Sequence, residues 1–244
     1  MKRLVKRVVD STLVPLIEHV LARVRVPQDS VFSGCSVSQY SVVNEVLRRA
    51  VADSADYADN HMQDALCIRG DKEALWRQAF AARAPGGLVL EFGVFRGHSI
   101  RFFASLTDEM IYGFDSFEGL RENWTGWAAP KGTFDMGGAA PPVPNNVTFI
   151  KGWFEASLPS FLREHCEPFS FVHIDSDTYE AASTILAAAA DRFRPGTVVV
   201  FDEYFGYRGW RAGESKAWRE FVAARGISYR YLAFHDQAAA LVVT

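Results

Sequence analysis

The sequence predicts an α/β protein: a mostly parallel sheet of seven strands, covered by helices on both faces, closed by a C-terminal antiparallel hairpin and preceded by N-terminal helices. Three observations carry this. From Leu88 onward the short runs "LVLEFG", "MIYGFD", "VTFIKG", "FSFVHID" and "TVVVFDE" are apolar at consecutive positions, as strands buried on both faces of a parallel sheet must be. Helical patterns lie between most of them, after Arg96 and through "EASLPSFLREH" and "TYEAASTILAAAADRF", including the alanine run 187–190. Strands alternating with helices in this way form a parallel sheet. Finally, "ISYRYLAF" and "QAAALVVT" are separated only by a short polar turn, a link that can join only antiparallel strands, here at the sheet edge.

The 244 residues divide into a helical segment over 1–84 and the α/β domain over 85–244. In the first, "YSVVNEVLRRAV" and "DKEALWRQAFAARA" have helical period, the second stopped by Pro85-Gly86-Gly87. The opening "MKRLVKRVVDSTLVPLIEHVLARVRV" is basic like a leader, but Asp10, Glu18 and Arg23 break its apolar run and no small-residue cleavage site follows. No stretch is apolar for long enough to span a bilayer. Leu4, Val5, Val8, Val9, Leu16, Ile17, Val20, Leu21 and Val24 instead outline an amphipathic helix bent near Pro15. Such a helix packs on the body or on a second subunit, so a homo-oligomer is expected; Lys2, Arg3, Lys6 and Arg7 leave a membrane-surface role open. Cys35, Cys67 and Cys166 are scattered without a C-x-x-C pair, which argues for a reducing, cytoplasmic setting and against a disulfide framework or zinc site. A net charge of -3 gives no electrostatic case for nucleic acid as partner.

Ligands of open α/β sheets bind beyond the carboxyl ends of the strands, and there the sequence places glycines and acids. "LEFGVFRGHS" carries Glu91-x-Gly93-x-x-x-Gly97 from the first strand into a helix, where glycine lets backbone approach a ligand. The spacing is not G-x-G-x-x-G, so a nicotinamide-dependent oxidoreductase loses its best support. Asp115 ends the second strand in "YGFDSFEGL" and suits ribose hydroxyls, or else caps the turn at Ser116. Gly152, Trp153 and Phe154 after the third strand suit a wall beside an adenine, although Phe154 reads equally well as core. The long connection "RENWTGWAAPKGTFDMGGAAPPVPNN" has no helical period; loops of this length often serve as lids. At the fourth and fifth strands "HIDSD" and "VVVFDEY" bring Asp175, Asp177, Asp202 and Glu203 to one rim. Carboxylates so crowded repel one another unless a hard cation shares them.

Taken together, "LEFGVFRGHS", "GFDSFEGL", "KGWFEASLP", "HIDSDTYE" and "FDEYF" resemble the successive motifs of the macrocin O-methyltransferase family, over residues 86–243. The resemblance implies a Rossmann-like class I methyltransferase fold, S-adenosylmethionine as methyl donor, a bound magnesium ion, and a sugar hydroxyl of a natural product or glycan as acceptor. It makes Glu91, Gly93, Gly97, Ser99, Asp115, Ser116, Gly152, Trp153, Phe154 and Asp175 the candidate cofactor-binding residues. By position, Asp175, Asp202 and Glu203 resemble the family's metal ligands and Asp177 its general base. The family commonly has Asp-Asp where this chain has Asp202-Glu203, and the longer glutamate arm moves its carboxylate. That departure leaves open a reaction without metal, with His173 as an alternative base; a histidine inside a buried strand also reads as a core residue, and Asp177-Thr178 as a helix cap. Tyr179, Tyr207, Trp210 and Arg211 are candidates for the acceptor pocket, with Trp124 and Trp127 closing over it. Two other readings stand beside this one: a metal-free methyltransferase for a carboxylate, phenol or amine, and a domain that binds the cofactor without turnover.

Overall fold

The computed structural model describes residues 41–127 and 129–244; the amphipathic segment between Leu4 and Val24, and Cys35, lie outside the described residues. The chain divides after Glu45, and the architecture below is that of the unit Val46–Thr244. Helix α1 (Val42–His61) is followed by strand β1 (Leu66–Cys67), α2 (Lys72–Ala81), β2 (Leu88–Phe92), α3 (His98–Ala104), β3 (Ile111–Asp115), β4 (Val147–Lys151) and α4 (Phe154–Glu164). Then come β5 (Phe169–Ile174), α5 (Tyr179–Ala188), β6 (Val198–Phe201), α6 (Glu214–Arg225), β7 (Tyr229–His235) and β8 (Ala238–Val243).

All strands form one sheet in the order β1-β7-β8-β6-β5-β2-β3-β4. β8 runs antiparallel to both β6 and β7, and every other pairing is parallel. Eight strands replace the seven expected. The extra one, β1, is two exposed residues long and pairs with β7, too short to leave a period-two pattern. It also takes the sheet edge, so the terminal hairpin is not at the edge as expected. Helix α5 stops at Ala188, and Ala190–Arg192 form a 3-10 turn rather than the continuous helix expected through the alanines. Arg194-Pro195 beyond it bars continuation, because the residue before a proline is pushed out of the helical region. Among the described residues no helix is long and apolar enough to cross a membrane.

Alternate residues of the central strands feed two separate cores. Leu90, Phe92, Val172, Ile174, Val199 and Phe201 face α4, α5 and α6 with Phe161, Ile185 and Trp218. Val89, Phe171, Val198 and Val200 face α2 and α3 with Leu75, Trp76, Phe80 and Phe103. Continuously apolar strands are thus explained by burial on both faces.

The site is positioned by the carboxyl ends of these strands. One residue past each end, the ladder still holds: Gly93 N–H donates to Phe114 O (2.9 Å), Asp175 N–H to Phe92 O (2.8 Å), Asp202 N–H to Ile174 O (3.0 Å) and Gly152 N–H to Asp115 O (3.0 Å). Strand order reverses between β2 and β5, the switch point at which such sheets bind ligands. There Gly93 has φ 87°, and a Cβ on it would lie 1.7 Å from Asp175 O. Gly93→Ala is therefore expected to lower stability by about 3 kcal/mol or more, as a strained residue forced into a backbone clash does; urea unfolding with an unchanged midpoint would contradict the packing described.

Candidate active site

A cleft of about 400 Å³ opens above the switch point, a volume suited to a small molecule. Its floor and one wall are Gly93, Asp115, Ser116, Gly152, Trp153, Phe154 and Asp175, seven of the ten residues expected to meet a cofactor. The other three lie elsewhere. Glu91 is fully buried beneath the cleft. Ser99 donates to Glu91 Oε1 (2.8 Å) and borders a second hollow beside α2. Gly97, with φ 74°, is the residue that turns the loop into α3. Asp115 is drawn into bracing the loop after β2: its Oδ2 accepts from the N–H of Val94 and of Phe95 (both 2.8 Å), and its Oδ1 from that of Phe117 (2.7 Å). One of its four lone-pair positions is left for a ligand.

The connection after β3 reaches over the cleft as expected of a lid, without helix or strand of its own. Leu120, Arg121, Glu122, Trp124 and Phe134 line it. Gly126 packs so closely that a Cβ would lie 1.6 Å from Arg208 O, and Trp124 and Trp127 sit against the Tyr207 ring at 6.0 and 6.2 Å. Glu122 Oε1 accepts from Thr178 Oγ1 at 2.5 Å, which ties this segment to the start of α5.

On the far wall stand Asp175, Asp177 and Glu203, with one carboxylate oxygen of each within 4.8 Å of the others. Asp177 occupies a three-residue turn closed by Thr178 N–H to Ser176 O (2.7 Å), with φ 65°. That is the rarer, strained sense of a γ-turn, and strain of this kind persists only where surroundings impose it. The brace is Glu214. Fully buried, it accepts from Ser176 N–H (3.0 Å) and Oγ (3.1 Å) through Oε1, and from Glu203 N–H (3.4 Å) through Oε2. Thr178 caps α5 by accepting from Ala181 N–H (3.2 Å), so the cap and the turn acid are neighbours rather than alternatives. Burial first, then mutual repulsion, raises the carboxyls of Asp175, Asp177 and Glu203 well above the usual range. Burial likewise lifts Glu214 to about 7.

Asp202 meets Asp175 in a second group, with His173. Its Oδ2 accepts from Lys72 Nζ at 2.6 Å, and its Oδ1 faces His173 Nε2 at 3.5 Å. Nδ1 of His173 faces Glu91 Oε2, also at 3.5 Å; both are ion-pair distances rather than well-formed hydrogen bonds. Burial alone would favour a neutral imidazole, but Asp202 and Glu91 outweigh it and push His173 up to about 10. Burial would also raise Asp202, but His173 and Lys72 hold it down to about 2. Burial keeps the Glu91 carboxyl above its ordinary value. His173, fully buried between Trp76 and Phe103 and facing Glu91 and Asp202, does not line the cleft where the alternative base expected would have to stand.

Of the acceptor candidates, Tyr207 is buried against Trp124 with a hydroxyl that has no partner among the described residues. Tyr179 points to α6, donating to Glu220 Oε2 (2.6 Å) beneath the Lys216 ammonium. Trp210 and Arg211 both donate to Asp53 of α1 (2.9 and 2.8 Å to Oδ2). None of these four candidates lines the cleft. Glu214, Glu122 and Lys72 are the functional side chains that sequence reasoning missed. Glu214 reads as an ordinary acid in the first turn of a helix, Glu122 as loop, and Lys72 as surface on the "DKEALW" helix.

A divalent cation suits the trio. Glu203 Oε2 is buried without a hydrogen-bond partner among the described residues, and three carboxylates offer the hard oxygen ligands such ions take. All three expected ligands gather at the rim, in two groups that share Asp175: one with Asp177 and Glu203, the other with His173 and Asp202.

Comparison with known proteins places this geometry. Residues 90–204 match the family model described as a methyltransferase domain. The solved calicheamicin methyltransferase CalS11 is similar at 25% identity, over 70% of this chain and 76% of that one, with a TM-score of 0.55. The O-methyltransferase NovP shares the fold at 19% identity, over 71% and 79% of the two chains, with a TM-score of 0.56. No curated protein sequence matches the chain. The fold is the Rossmann-like α/β fold of methyltransferases, with its mostly parallel sheet and antiparallel C-terminal strand.

In metal-free protein the His173 ring is expected to keep imidazolium chemical shifts from pH 6 to pH 9 by NMR; a midpoint near 6.5 would refute the ion-paired assignment. Because its folded value is raised from 6.5 to about 10, its contribution to stability is full below pH 6.5 and is lost as pH rises through about 10.

Proposed function

We propose that the protein is an S-adenosylmethionine-dependent O-methyltransferase acting on a sugar hydroxyl of a natural product or glycan, with a divalent cation held by Asp175, Asp177 and Glu203. The observation that carries the reading is the position of Asp177: a raised carboxyl, fixed in a strained turn, lining the same cleft as Asp115, Trp153 and Phe154. The similarity to a calicheamicin methyltransferase supports methyl transfer, and the resemblance of five motifs to macrocin O-methyltransferases supports the sugar acceptor.

S-adenosylmethionine supplies a methyl group already activated as a sulfonium, so the protein's work is to place the acceptor oxygen in line and remove its proton. A magnesium ion, where bound, supplies Lewis-acid activation of that hydroxyl. Trp153 and Phe154 offer flat apolar surface to an adenine, and Asp115 one free lone pair to a ribose hydroxyl. Asp177 accepts the acceptor's proton through the carboxylate oxygen that would not hold the ion; without the ion, burial and neighbouring carboxylates raise its carboxyl above the usual range. Trp124 and the docked lid exclude water from the reacting atoms. The metal-free alternative for a carboxylate, phenol or amine draws its support from Asp202, which Lys72 and His173 already neutralise without an ion.

Calorimetric titration of S-adenosylhomocysteine, then of magnesium into that complex, is expected to give two binding events, the second abolished in Asp175→Ala. Magnesium heat absent from the wild type would retire the cation, and failure to bind S-adenosylhomocysteine would sink methyl transfer altogether. Against a panel of glycosides bearing vicinal diols, Asp177→Asn is expected to lower kcat by about 10²–10⁴-fold, the usual worth of a positioned general base, with S-adenosylhomocysteine affinity within about threefold of wild type. Undiminished turnover would remove Asp177 from the base role.

A further inference from the structure

We propose that Lys72 is a tethered cation that competes with the divalent ion for Asp202, and so sets both the affinity of the metal site and which carboxylates form it. The inference rests on the reading of Asp175, Asp177 and Glu203 as a cation site, and extends it to a residue outside every motif of the α/β domain.

Two carboxylate groups at the rim share Asp175: one with Asp177 and Glu203, the other with His173 and Asp202. What separates them is the occupancy of Asp202. Lys72 Nζ holds Oδ2 at 2.6 Å, whereas Oδ1, 3.5 Å from His173 Nε2, is buried without a hydrogen-bond partner among the described residues. In Glu203, the next residue, Oε2 is likewise buried and unpartnered among the described residues. Among the described residues only Asp202 of these two neighbouring acids is held by a lysine of the chain, and both keep one buried oxygen unpartnered.

Lys72 is built to be displaced. It is the first residue of α2, capped by Asp71, whose side chain accepts from Glu73 N–H (3.0 Å), so the helix start is fixed without it. Its side chain stays 37% exposed and borders, with Asp175, the hollow on the α2 side of the rim. The ammonium also lies 5.3 Å from the Trp76 ring centroid, a second resting place when it leaves Asp202. His173, buried and immobile between Trp76 and Phe103, has no such freedom. An ammonium on a flexible stem is a point charge that can give way to a harder ion.

The test is magnesium titration of the S-adenosylhomocysteine complex in Lys72→Gln, Lys72→Arg and the double variant Lys72→Gln/Asp202→Asn, with thermal melts confirming that each is folded. Lys72→Gln is expected to bind magnesium at least about tenfold more tightly than wild type, the effect of one unit charge on a divalent ion a few ångströms away even at water-like screening. Lys72→Arg keeps the charge and should retain wild-type affinity. The double variant removes both members of the ion pair and should also return to near wild-type affinity. Equal or weaker binding by a folded Lys72→Gln, beside a wild type that binds, overturns the role of Lys72 while leaving the metal reading intact. No magnesium binding in wild type or Lys72→Gln overturns both. Should Lys72→Gln not fold, a Lys72→Arg variant whose magnesium affinity departs more than about tenfold from wild type overturns the proposal instead, since charge alone is what it invokes.

Discussion

Six carboxylates, Glu91, Asp175, Asp177, Asp202, Glu203 and Glu214, lie at or beneath the carboxyl edge of β2, β5 and β6, and all but Asp175 are fully buried. An uncompensated buried charge costs several kcal/mol, so the surrounding structure has to neutralise, hydrogen-bond or protonate each of them. His173 and Lys72 supply positive charge, Ser99 and Ser176 supply hydroxyls, and the backbone of Ser176 and Glu203 supplies N–H donors. Among the described residues these leave Glu91 Oε2, Asp202 Oδ1 and Glu203 Oε2 buried without a hydrogen-bond partner, and Asp175, Asp177 and Glu203 line the cleft. A local excess of negative charge facing a ligand cavity is a feature of function rather than of folding.

The same crowding explains elements that would otherwise look incidental. α2 precedes the central strands in the sequence, yet its first residue pairs with a rim acid and its Trp76 covers His173. α6 lies after the last acid in the sequence, yet its first residue, Glu214, holds the loops after both β5 and β6. The lid is tied down at Thr178, one residue past Asp177. Cofactor wall, rim, lid and flanking helices are therefore mechanically coupled around a few residues of the β5 and β6 loops.

Legibility in the sequence followed the range of the interaction. Strands β2 to β8 were found within a residue or two because each is a local apolar run between turn signals, and the parallel order followed from the helices between them. The seven cleft residues were found because strand ends deliver their successors to a common edge. β1 was missed because two residues have no period. Tyr179, Trp210 and Arg211 were misplaced because nothing local says which way a side chain in a first helical turn or a loop will point; Glu220 and Asp53, distant in sequence, decide it.

By itself the sequence determined the α/β class, the parallel order of the central strands, the glycine turn and the convergence of Asp175, Asp177, Asp202 and Glu203, since each depends on local periodicity and on the rule that parallel strands end at one edge. Only the tertiary structure decided how those acids are shared out. That Asp202 is held by Lys72 and faces His173, that Asp177 and Glu203 gather with Asp175, and that His173 is buried away from the cleft all depend on groups up to 130 residues apart in the chain. Charge at short range acts through space and not along the chain, so its partition becomes definite only when the chain has closed around it.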